Sequence, residues 1–182
     1  MAIPTKEVSL LRFRWKLAEV PTKPEMVPPF TLRTADEQEY AEARHLIQSA
    51  YSLDPEWSGC KSHIEGYVLE GIKRVFDEDE PTCIFVQHGN RVIAASVYEV
   101  EPEGGIHLLS GPCVQSEYRN RGIGGALLGA TLAALRSRGL SEAYGQTRPN
   151  TPSAKFLLTK FGGEPAPVEV PVPAAKVAAA AA

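Results

Sequence analysis

Apolar and polar residues alternate near the start of the chain. Leu11, Phe13, Trp15 and Leu17 are interleaved with Arg12, Arg14 and Lys16. A period of two puts the two sets on opposite faces, which predicts a half-buried strand. The basic outer face suits a protected edge strand, or one that pairs with a second subunit, so a homodimer is an expectation. Pro21, Pro24, Pro28 and Pro29 then predict a linker of little regular structure.

From Phe30 the pattern changes. Phe30–Arg33 reads as a short strand, and Thr34 or Asp36 is positioned to cap a helix running to about Ala50. Asp54–Gly59 is a loop. Ile64, Val68, Ile72 and Val75 share one face of a second helix, about Ser62–Phe76. Thr82–Gln87 and Arg91–Val100 flank His88-Gly89-Asn90 as a hairpin. Ile106–Val114 reads as the third strand of the meander, with a bulge or edge at Gly111-Pro112. A broad apolar surface then runs along a helix from about Gly122 to Arg138, and Gly139 suits the position just past its end. Ser141–Thr147 is a strand, Ser153–Lys160 a short helix, and Val168–Val172 a last strand.

This order predicts an α/β (α+β) fold. A mixed, mostly antiparallel sheet is flanked by helices, and the segments 106–114, 122–138 and 141–147 form a right-handed β-α-β crossover. The expected divisions are an N-terminal extension, 1–29, a main domain, 30–172, and an alanine-rich disordered tail, 173–182. A net charge of −3 argues against a general nucleic-acid binder. Cys60, Cys83 and Cys113 are odd in number and lack metal-ligand spacing, which fits a reducing cytoplasmic setting and no metal. No stretch approaches the ~20 apolar residues of a membrane span.

The chemistry concentrates in Glu117–Leu128, EYRNRGIGGALL. Gly122, Gly124 and Gly125 fall where the long helix begins. The first turn of a helix carries free N–H groups and partial positive charge, and glycines let a ligand approach them without meeting a Cβ. Together they describe a phosphate cradle. A nucleotide P-loop needs a Lys-Ser/Thr pair at its end, but Ala126-Leu127 stands there. A dinucleotide fingerprint needs a third glycine, but Leu127 stands there, and the turn off the preceding strand is too long. Arg119-Asn120-Arg121-Gly122-Ile123-Gly124 instead fits Arg/Gln-x-x-Gly-x-Gly/Ala in full.

On these residues the chain resembles the GNAT family, the Gcn5-related N-acetyltransferases, from about Phe30 to Gly163 in element order and most sharply over Leu108–Leu128. The resemblance implies an acetyl-CoA-dependent N-acetyltransferase, with acetyl-CoA as co-substrate and direct attack by an amine. The acceptor would be a small-molecule amine or a peptide or protein amino group. It places the cofactor at Cys113, Val114, Arg119, Asn120, Arg121, Gly122, Ile123, Gly124, Gly125 and Ala126, with Val114 N–H meeting the acyl oxygen. Asn150 and Ser153 join them through Asn150-Thr151-Pro152-Ser153, whose Asn commonly meets the pantetheine arm. Either residue is also placed to cap the short helix.

Two departures accompany the likeness. Leu157 stands where many members carry a tyrosine acid, and Lys160-Phe161-Gly162-Gly163 runs one residue long. The missing tyrosine keeps open a second class, a non-catalytic acyl-CoA-binding regulatory module. Attack requires an ammonium to lose its proton near neutral pH, so a base matters more than an acid. Candidate bases are His107, Ser110 with a water, Glu99 and Glu101. Cys113 has no base near it in sequence. Trp57 and His63 fall where the family builds its acceptor wall, though packing is the better account of both.

Overall fold

The computed structural model describes residues 7–22 and 25–171. The expected tail, 173–182, and Val172 lie outside the described residues. Two sheets are present, with strand orders β2-β3-β4-β5 and β6-β1-β7. The first is an antiparallel meander of β2 (Phe30–Thr34), β3 (Cys83–His88), β4 (Arg91–Val97) and the two-residue β5 (Cys113–Val114). The second joins β1 (Glu7–Lys16) antiparallel to both β6 (Glu142–Thr147) and β7 (Glu164–Pro171).

β1 is therefore a middle strand. The expectation of an edge is corrected by intrachain ladders on both sides, Leu11–Lys16 with β6 and Glu7–Arg14 with β7. One of the cations that suggested an edge is neutralised across those ladders: Arg14 meets Glu142 at 3.5 Å and Glu164 at 2.8 Å. The alternation also serves two cores. Val8 and Leu10 pack on one face with the early helices, and Phe13 and Trp15 on the other with the long helix. β7 is the edge, and Pro165, Pro167 and Pro171 lie along it with one parity. They remove outward-facing N–H donors, which protects an edge as surface charge does.

Helices cover both faces. A turn at Glu37–Glu39 leads into α1 (Tyr40–Ser52), and Asp36 N–H donates to Glu39 at 2.8 Å, one half of a capping box. The second expected helix is one helical stretch with an interruption. α2 (Lys61–His63) passes through a π turn, Ile64–Leu69, into α3 (Glu70–Phe76). Buried Leu46, Ile47, Val68, Ile72 and Val75 pack on Phe85, Ala95 and Val97. On the opposite face α4 (Ile123–Ser137) sets Ile123 and Leu127 against Val86, Ile93 and Ala94, and Leu128, Leu132 and Leu135 against Phe13, Trp15 and Ala143. Gly139, at φ 91°, ends it as expected.

The strand expected over Ile106–Val114 is interrupted. Leu108 makes isolated bridges to Tyr98 and, in parallel, to Gly145. The chain then leaves the ladder until Cys113. Gly111 has φ 62° and Pro112 has no N–H. Ser110 fills the gap with its side chain: its hydroxyl accepts from Val97 N–H at 3.1 Å and donates to Gly111 O at 2.9 Å. The crossover is present, but its strands touch only near Leu108 and Gly145. His107 and Leu108 N–H both donate to Tyr144 O, at 2.9 and 3.0 Å. Beyond that point the two sheets part.

Candidate active site

The parting makes a cleft of ≈ 450 Å³ between β5, the start of α4, the end of β6 and the turn after Pro152. Its walls carry open main-chain groups. Gln115 N–H donates to Ile93 O at 2.9 Å, so alternation along the ladder turns Val114 N–H and C=O away from β4. On the other wall, Leu17 N–H donates to Ser141 O. The same alternation turns the main chain of Gln146 away from β1, into the gap. An extended ligand with amide groups can pair here as an added strand does.

One end of the cleft is the start of α4. Ala126 N–H donates to Gly122 O at 3.1 Å, so the N–H groups of Gly122, Ile123, Gly124 and Gly125 are left outside the helical ladder. No side chain caps the helix and no acid lies in its first turn. Gly122 has φ 76°, a conformation that L side chains resist. A Cβ on Gly124 would sit 3.5 Å from Leu157 and 3.8 Å from Val114, inside the cleft. One on Gly125 would press on Lys160 at 3.3 Å. The residues present thus fit a diphosphate.

The two arginines separate. Arg119 stays on the cleft wall, its Nε donating to Val114 O at 3.2 Å. Arg121 turns to Tyr118, 5.4 Å above the ring, and donates to Glu117 O at 3.1 Å.

The remaining candidates fall on both sides of the boundary. Ser110, Cys113, Val114, Asn120, Gly122, Ile123, Gly124, Gly125 and Ser153 line the cleft. Ala126, Asn150, Glu99 and His107 are not among its lining residues. Asn150 turns the chain at φ 67°. Thr151, rather than Asn150 or Ser153, caps the next turn, its hydroxyl accepting from Ala154 N–H at 3.0 Å. His107 Nδ1 accepts from Tyr144 N–H at 3.1 Å, and burial pulls the imidazole below its ordinary value. Glu99 is paired with Arg74 at 2.5 Å. The Ser110 hydroxyl is committed to the strand break. Burial pushes the Cys113 thiol up to about 12, so it stays protonated.

The structure adds residues that no motif marked. Tyr51, buried on α1, donates to Ser110 O at 3.0 Å and holds the broken strand from below. Trp57 meets Tyr51 edge-on at 4.8 Å. Asp54 is the one acid lining the cleft among the described residues, and its carboxylate accepts from Glu56 N–H at 3.0 Å. Gln146 lines the opposite wall. These come from two distant stretches of chain, 51–57 and the end of β6.

A split sheet over a helix whose bare N-terminus opens into the split is the architecture of an acyl-CoA-type acetyltransferase. Residues 40–162 match the model of the acetyltransferase (GNAT) family, and the chain belongs to that family. No curated protein sequence matches the chain. Among solved structures it is similar to an acetyltransferase from Colwellia psychrerythraea, with a TM-score of 0.63 and 13% identity over 90% of this chain and 55% of that one. A GCN5-related N-acetyltransferase from Sphaerobacter thermophilus gives 0.61 and 16% over 91% and 53%. An aminoglycoside N-acetyltransferase, AAC(6')-Iy, solved in complex with CoA, gives 0.52 and 17% over 76% and 92%. This chain spans about half the length of the first two. At these identities the likeness is one of fold. Among the described residues, no helix is long and apolar enough to cross a membrane.

Proposed function

We propose that the chain is an acetyl-CoA-dependent N-acetyltransferase that moves an acetyl group to an amine by direct attack. One observation carries this reading. Four free N–H groups, three of them on glycine, open into a cleft whose walls carry main-chain groups turned out of the strand ladders. Gly122–Gly125 would hold the pyrophosphate and Arg119 would add charge beside it. The main chain of Gln146 would pair with a pantetheine amide. When bound, acetyl-CoA supplies a thioester open to attack by an amine. Val114 N–H is the donor available to an acyl oxygen. Asp54 is the carboxylate in position to meet a cationic amine and accept its proton. Leu157 and Phe156 close an apolar side of the cleft.

Calorimetry with acetyl-CoA, followed by thiol release across an amine panel, tests both stages. Binding should stabilise the fold by about 2.7 kcal/mol at a hundred times Kd, and Asp54→Asn should lower kcat/KM about 10²-fold or more, the scale of a lost general base. Absence of binding sinks the assignment. The second reading, a non-catalytic acyl-CoA-binding module, is favoured by Leu157 at the acid position. It prevails if acetyl-CoA binds and no amine releases thiol.

A further inference from the structure

Buried polar atoms without partners are rare and ask for a cause. Three of the four such side-chain atoms among the described residues are Arg12 Nε, His63 Nδ1 and Gln146 Oε1. Two of them are neighbours, and His63 is linked to them through Tyr67, whose ring stacks on His63 and feels the charge of Arg12. Arg12 and Gln146 are directly opposite on β1 and β6, at a position without mutual main-chain bonds, where side chains lie closest. His63, 2% exposed, stacks on Trp57 at 5.8 Å and on Tyr67 at 5.2 Å. Trp57 and Gln146 both line the cleft.

The other arginines of this wall have partners. Arg14 meets Glu142 and Glu164, Arg74 meets Glu99, and Arg148 donates to Glu56 O and Ser9 O at 3.1 and 2.7 Å. The Arg12 side chain makes no hydrogen bond or ion pair among the described residues. The adjacent orphans are also of opposite kind. Arg12 Nε is a donor and Gln146 Oε1 an acceptor, yet they do not satisfy each other. A ligand carrying an acceptor and a donor on neighbouring atoms would satisfy both.

We propose that Arg12 and Gln146, backed by His63, recognise the carboxylate and the ammonium of a free α-amino acid, which would be the acceptor of the acetyl group. This rests on the acetyltransferase reading above. The carboxylate would take the guanidinium, and the amine would be held at Gln146 on the cleft wall. Burial and the charge of Arg148 pull His63 below its ordinary value, so it is neutral near pH 7 and leaves Arg12 as the charge that selects.

The test uses the full chain and acetyl-CoA, with amino acids set against their amides and their decarboxylated amines. The acids should be favoured in kcat/KM by about tenfold or more, as for one charge-assisted bond. Arg12→Met should reduce that ratio about tenfold, and Arg12→Lys should retain part of it. A purely structural Arg12 would leave the ratio unchanged. Equal rates on acids and amides, or an unaltered ratio in Arg12→Met, overturns the proposal. So does a protein that binds acetyl-CoA but, by calorimetry, no amino acid. Failure to bind acetyl-CoA at all would instead strike the underlying reading.

Discussion

The two walls of the cleft are built from different material. The wall assigned to the cofactor is main chain: four N–H groups at the start of α4, and the open edge at Val114. The wall assigned to the acceptor is side chain: Tyr51, Trp57 and Gln146 line it, with His63 stacked on Trp57 and Arg12 across the ladder from Gln146. A ligand common to a family can be held by groups every residue possesses, provided nothing obstructs them. A ligand particular to one protein needs particular side chains.

The largest effect should therefore come from obstruction. Gly124→Val would fill the space between Leu157 and Val114, where a Cβ already meets ordinary contact distances at 3.5 and 3.8 Å. We expect a folded protein whose acetyl-CoA affinity, read by calorimetry, falls by at least ~100-fold, about 2.7 kcal/mol. Undiminished affinity in that variant would mean that the glycines serve packing alone.

The same contrast explains what could be read from the sequence. The cradle was legible because its residues are contiguous and their spacing is fixed by one helix turn. The Asp54, Tyr51 and Gln146 side chains carry no such signature, since only the fold brings them to one cleft. Element order and type were legible from period and turn residues. The places that failed are those where pairing decides. β1 looked like an edge because its cations were visible, while the partners of Arg14, Glu142 and Glu164, and the two neighbouring strands lie far along the chain. The third strand looked continuous because nothing local reveals that the Ser110 hydroxyl replaces a ladder bond to Val97. The π turn at Ile64–Leu69 keeps an apolar face and so leaves no mark in the pattern.

Within the main-chain wall, charge should divide unequally. Arg119→Ala removes a cation held on the cleft by Val114 O, and should weaken acetyl-CoA binding by roughly tenfold to 150-fold, about 1.5–3 kcal/mol. The loss should shrink as salt rises. Arg121→Ala removes one committed to Tyr118 and Glu117 O, and should cost less than about threefold, within the range of weak surface charges. Equal losses would show that both arginines swing to the ligand.

Tyr51 joins the two walls, so its removal should touch both lightly. Tyr51→Phe deletes the hydrogen bond to Ser110 O, at a stability cost of about 0.5–1.5 kcal/mol in chemical denaturation. If the phenol fixes the strand break, kcat should drop more than the KM for acetyl-CoA rises. A change confined to stability would make Tyr51 a packing residue alone.

The smallest effect expected lies in pH, and it should be confined to the side-chain wall. Burial, then Arg148, lowers the pKa of His63 below its ordinary value of 6.5. Burial lowers His107 in the same direction. A depressed histidine binds fewer protons in the folded chain than in the unfolded one. The stability each contributes is therefore complete above about pH 6.5 and declines as pH falls through the lower folded value. Denaturation midpoints should fall between pH 7 and pH 5. His63→Phe, which keeps the stack between Trp57 and Tyr67 without a titrating ring, should flatten that fall more than His107→Phe does, because His63 is the more deeply buried of the two. The backbone N–H groups of the α4 cradle do not titrate, so none of this slope should come from Gly122–Gly125. A His63→Phe protein with the slope of the wild type would place the proton uptake elsewhere, and would leave Nδ1 of His63 without the neutral state that the acceptor wall requires of it.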